Sequence, residues 1–189
     1  MKLGLTFLRT VIGVLFFGHG TQKLFGWFGG HGLEGTAGFF ETIGLKPGRR
    51  HATAAGAAEV GGGALLALGF LTPAAAAMLI GVMSTAVRKV HLKNGPWVTN
   101  GGYEYNLALV AMLVALTDVG PGDLSLDHAL GTEVKGPLVA LLALAAGIGG
   151  AAVLTAGSVP DSAEPAAPEA PVGEEPAAEP TAEDAPATA

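Results

Sequence analysis

Five long apolar runs constrain this chain more than any other feature: Leu3 to Gly20, Ala52 to Leu71, Pro73 to Val90, Tyr103 to Val119 and Pro137 to Thr155. As a helix each run covers roughly 25 to 30 Å, close to the ~30 Å hydrocarbon core of a bilayer. Five such runs leave no amphipathic helix to face water, which argues against a water-soluble core. Composition agrees: half of the 189 residues are hydrophobic, mean hydropathy is +0.48, and 14% are charged, against about 25% in soluble domains. The expected fold is therefore all-α. It is a polytopic membrane four-helix bundle from the first four runs, with the fifth run, rich in Gly and Ala, as an additional C-terminal transmembrane helix. Arg9 interrupts the first run and no A-x-A cleavage site follows, so that run is expected to be retained as a helix rather than removed as a signal peptide.

Charge is unevenly placed. The net charge of -6 comes from eight acids between Asp161 and Asp184, whereas residues 1–160 hold ten bases and eight acids, a net of +2. Nucleic-acid binding is not suggested for such a body. From Ser158 onward seven Pro alternate with Ala and acids, with no aromatic residue. That composition cannot bury enough apolar area to offset ordering, and disorder is expected there. The expected divisions are 1–131 for the bundle, 132–157 for the additional helix and 158–189 for the tail. If all five runs span, the loops after the first and third helices share one side. With their helix ends they hold Lys23, Lys46, Arg49, Arg50, Arg88, Lys89 and Lys93, while the other side has Lys2 and Lys135. The positive-inside rule then puts the basic side in the cytoplasm of a multi-pass cell-membrane protein, with the N-terminus outside.

Ionisable groups inside a membrane are expensive and mark function or pairing. His19, Gln22 and Lys23 share one face at the inner end of the first helix, by their spacing of three and four. Glu59 falls about 10 Å below the same interface in the second helix. Ser84, Arg88 and His91 share a face of the third, and Tyr103, Glu104 and Tyr105 begin the fourth. Around Glu59 the helical neighbours are Ala55, Gly56, Gly62 and Gly63, a small face that lets backbones approach and turns the carboxylate into the bundle. A fold-fixing ion pair with Lys23, Arg88 or His19 stands beside a role in proton or ligand chemistry. Arg9, nearer the opposite side, is expected to snorkel outward or to pair. His19 and His91 are also the residue types a b-type haem uses, but two histidines near an interface are more often hydrogen-bonded polar residues. The segment Thr36 to Ile43 allows a short helix over the inner cluster, although its glycine neighbours favour a bent loop. Both Trp, at 27 and 97, fit an aromatic belt at the inner interface. No Walker, H-E-x-x-H or G-x-S-x-G motif occurs, no metal site is expected, and the lack of Cys removes thiolate chemistry.

The segments His19-Gly-Thr-Gln-Lys-Leu-Phe-Gly26, Gly35-Thr-Ala-Gly-Phe-Phe-Glu41, Glu59 followed by Gly61-Gly-Gly63, His91-Leu-Lys-Asn-Gly95 and Gly101-Gly-Tyr-Glu-Tyr105, in this order, resemble the DoxX family of small bacterial membrane proteins. The similarity runs from about Leu3 to Gly131 and leaves the fifth run and the tail as additions. The resemblance implies a four-helix membrane bundle that often carries an oxidoreductase label. Relatives include a subunit of a thiosulfate:quinone oxidoreductase and a mycobacterial member associated with a sulfurtransferase and a superoxide dismutase.

The leading reading is a membrane subunit of a redox complex with quinone as its small-molecule partner and soluble redox enzymes as protein partners. Glu59 and His19 are then the candidate catalytic pair, and Gln22, Lys23, Arg88, His91, Tyr103 and Glu104 the candidate cofactor-binding set. His19 and Tyr103 would hydrogen-bond quinone oxygens and Glu59 would relay protons. No redox centre is evident in the chain, so electrons would arrive from a partner or a bound cofactor. A non-catalytic scaffold for soluble enzymes is the alternative, and a small-solute transporter, lacking an inverted repeat, ranks last. The oligomeric state stays open.

Overall fold

Every apolar run forms a helix in the computed structural model, which describes residues 3–156. The acidic tail and its expected disorder lie outside the described residues. In chain order the α-helices are α1 (Leu3–Phe25), α2 (Gly32–Thr42), α3 (Gly48–Leu68), α4 (Thr72–Ala86), α5 (Glu104–Val119), α6 (Leu126–Leu130) and α7 (Pro137–Thr155), with no strand among the described residues. A π-helical turn, Val87–His91, and a 3₁₀ turn, Leu92–Asn94, prolong α4.

Helices α1, α3, α4 and α5 surround one core, in which Ile12 and Phe16 meet Leu66, Leu79 and Ile80, and Leu109, Leu113 and Leu116 complete it. Glycine sets the closest approach, between α1 and α3. A Cβ on Gly63 would lie 2.6 Å from the Gly13 carbonyl oxygen, and one on Gly20 would lie 2.7 Å from that of Gly56. Backbone cannot yield at such distances, so these positions admit no side chain. Gly62 packs on Leu79 and Gly61 touches Met78, which assigns the Gly61-Gly-Gly63 stretch to internal packing.

Helix α7 lies outside this ring against α4 and α5. Its small residues Ala140, Ala143, Gly147 and Ala151 are buried, while Leu138, Leu141, Leu142, Ile148 and Val153 point outward. Large side chains outside and small ones inside are what a helix does when lipid, not water, is the surrounding solvent. Among the described residues three helices are long and apolar enough to cross a membrane: Leu3–Phe25, Thr72–Asn94 and Pro137–Thr155. The expectation was five. The other two runs are helical as expected, but α3 carries Arg49, Arg50 and Glu59 among its glycines, and α5 has 16 residues, about 24 Å.

Of the two alternatives expected for Arg9, the structure takes pairing. The side chain does not snorkel: it is 3% exposed, and its guanidinium donates to the carbonyls of Leu66, Ala67, Pro121 and Leu124. Leu66 and Ala67 lie in the last turn of α3, where backbone carbonyls concentrate negative dipole charge that a cation offsets. Beside it Asp127, 1% exposed, accepts from the N–H groups of Leu71 and Thr72 and the hydroxyls of Thr72 and Thr132, and so caps the N-terminus of α4. These buried contacts tie the α5–α7 connection to the α3–α4 turn.

Candidate functional site

At the opposite end of the bundle, where α1 ends and α5 begins, lies a mostly apolar cleft of about 710 Å³. Ile12, Phe16, Met78 and Leu109 are part of its apolar lining, together with Phe39 and Phe40 of α2 and Ile43 just beyond it. Segment 32–42 is thus the short helix over the inner cluster, not the bent loop that its glycines favoured. Glu41 of α2 accepts from the Gly48 N–H at 3.1 Å, joining α2 to the first turn of α3.

Glu59 lies in the wall of this cleft with 2% of its side chain exposed, and Lys23 Nζ donates to its Oε2 at 2.5 Å. The small face of α3 creates this burial: Gly56 and Gly63 draw α1 inward, and Lys23, at the last turn of α1, reaches the carboxylate. Lys23 keeps 25% exposure, so the pair runs from the interior to the rim. His19 lines the same cleft. His51, Thr85, His91, Tyr105, Asn106 and Thr155 complete its polar lining. His91 Nδ1 is 2.7 Å from the Gly101 carbonyl oxygen, which fixes the ring against the loop before α5. Chemically, the site pairs apolar walls with a few directed donors and one buried carboxylate, the makeup of a small-ligand pocket.

The polar residues do not form one group. His19, Lys23, Glu59 and His91 share the first cleft; Ser84, Arg88 and Tyr103 line a second, of about 550 Å³, between α4, α5 and α7. Ser84, Arg88 and His91, expected on one face, are separated because the π turn over Val87–His91 takes an extra residue and sets His91 back from the α-helical register. Arg88 instead donates to the Thr155 hydroxyl at 3.3 Å. Gln22 and Glu104 line neither cleft. Gln22 donates to the Phe28 carbonyl and Glu104 accepts from the Val98 N–H, so each pins a loop. Sequence reasoning missed His51 and Asn106 in the lining, and missed Arg9 and Asp127 as a buried pair of caps. For Asp127 a signal existed, an acid in a Pro/Gly-rich connection beside a short helix.

An outward-facing apolar surface, spanning-length helices and a polar-lipped cleft at one end define an α-helical membrane protein. The chain belongs to the DoxX family: that family's profile matches residues 4–92. It is also 33% identical over 126 residues, 67% of this chain and 86% of the other, to a Bacillus subtilis (strain 168) protein named "Putative oxidoreductase CatD". No solved structure matches the chain.

Proposed function

We propose that this DoxX-family protein is a multi-pass subunit of a redox complex in the cell membrane, and that the first cleft receives a quinone headgroup. The observation that carries this reading is the Glu59–Lys23 pair set into the wall of an otherwise apolar cleft. A quinone ring and its isoprenoid chain need apolar walls, and its two oxygens need donors, for which His19 and Lys23 are placed; His91, whose Nδ1–H is held by the Gly101 carbonyl, offers Nε2 as an acceptor for a quinol hydroxyl. Reduction to quinol takes two electrons and two protons. The electrons come from a partner, and His19 at the exposed rim and Glu59 at depth offer a proton route from water to the headgroup. The name of the Bacillus relative supports an oxidoreductase role. Lys23, Lys46, Arg49, Arg50, Arg88, Lys89 and Lys93 gather at the end of the bundle that holds the cleft, and the positive-inside rule directs that end to the cytoplasm, within reach of soluble enzymes.

Photoaffinity labelling with an azido-naphthoquinone, followed by peptide mass spectrometry, tests the reading. Label on the α1 and α3 residues of the cleft, competed by unmodified naphthoquinone, is expected. Folded protein that takes no competable label overturns it. Glu59→Gln separates chemistry from folding: a folded variant that still binds quinone but no longer supports turnover with its partner places Glu59 in proton transfer, and unchanged turnover confines it to the ion pair.

A further inference from the structure

The second cleft differs from the first in its charge. Arg88 and Lys89 stand at its mouth with the hydroxyl-bearing Ser84 and Tyr103, and no acidic side chain lines it. Among the described residues no ion pair engages either cation, Arg88 having only the neutral Thr155 hydroxyl. Behind this mouth the walls are Leu107, Val110, Leu144 and Ile148. The mouth lies where α4 and α7 end and α5 begins, the level at which acyl chains give way to headgroups if these helices cross the bilayer. A π turn, a feature concentrated at functional sites, presents both cations.

We propose that this cleft binds one anionic phospholipid, with its phosphate between Arg88 and Lys89 and one acyl chain laid along the groove between α4, α5 and α7. Charge complementarity selects the occupant: two unneutralised cations at the interface attract a phosphate, and an apolar groove continuing from them takes a chain that a free phosphate lacks. α7 supplies Leu144, Ile148, Ala151 and Ala152 to the groove, so the helix added to the four-helix ring completes the site. The bound lipid bridges α7 to α4 and α5 beside the first cleft, with which it shares Thr85, Asn106, Ala151 and Thr155 as a common wall. This assignment holds whether or not the first cleft takes a quinone.

Native mass spectrometry of the full chain in detergent, offered dioleoyl-phosphatidylglycerol and dioleoyl-phosphatidylcholine in equal amounts, tests it. One retained anionic lipid is expected, with a preference that falls about fivefold for each cation removed in Arg88→Gln and Lys89→Gln, and that survives Arg49→Gln/Arg50→Gln at the same end. A diazirine-bearing phosphatidylglycerol reads the wild-type protein alone and should crosslink to Leu144 or Ile148. Equal retention of the two lipids, or crosslinks confined to other helices, overturns the proposal. Displacement of the bound lipid by millimolar inorganic phosphate overturns the acyl-chain assignment and leaves a phosphate site.

Discussion

Removing Lys23 should cost more than removing the charge it neutralises, because the two partners differ in burial. Lys23→Met leaves the Glu59 carboxylate, 2% exposed, without its cation. Breaking a buried pair in this way costs about 3 to 5 kcal/mol, and the partial exposure of Lys23 puts this case near the lower end, about 3 kcal/mol. Glu59→Gln leaves an ammonium that is 25% exposed and can turn toward water along its flexible stem. That loss is about 1 kcal/mol, the net value of one hydrogen bond. Lys23→Met/Glu59→Gln removes both charges and should return to within about 1 kcal/mol of the wild type, so the double-mutant cycle should show a coupling of about 3 kcal/mol. The measurement is reversible unfolding in mixed micelles of rising dodecyl sulfate content, followed by far-ultraviolet circular dichroism. If Glu59→Gln destabilises as much as Lys23→Met, or if the two losses simply add, the pair is not the buried, asymmetric contact described above.

Arg9→Lys should fail to replace Arg9 and should lower stability by about 2 kcal/mol, since one ammonium cannot reach the carbonyls of Leu66, Ala67, Pro121 and Leu124 that the guanidinium fork spans; the same unfolding assay reads it. Asp127→Ala strips the cap from α4 and the partner from the Leu71 N–H, where φ is +48°. A loss of about 2 kcal/mol is expected, with faster hydrogen exchange confined to the α3–α4 turn and the α6 region. Gly147→Leu would drive a side chain into the Ala77 carbonyl, 2.7 Å from its Cβ, whereas Gly149 has open space around it. The first substitution should free α7 to protease while Gly149→Leu leaves the digestion pattern unchanged; equal effects would contradict the packing of α7 on α4.

The apolar runs alone determined where the five long helices lie, because hydropathy and length act locally and every run became a helix, whereas α2 and α6 fall outside the runs. The inward aim of Glu59 was equally local, since its neighbours at three and four residues are small and oblige the partner helix to come close. Everything that depends on rotation of one helix against another was decided by the tertiary structure. Lys23 became the partner of Glu59 across 36 positions in sequence, and Arg9 found carbonyls 57 to 115 positions away, pairings that no spacing rule records. One π turn at the end of α4 moved His91 to a different cleft from Arg88 and Ser84, because a single extra residue per turn changes which way all later side chains point.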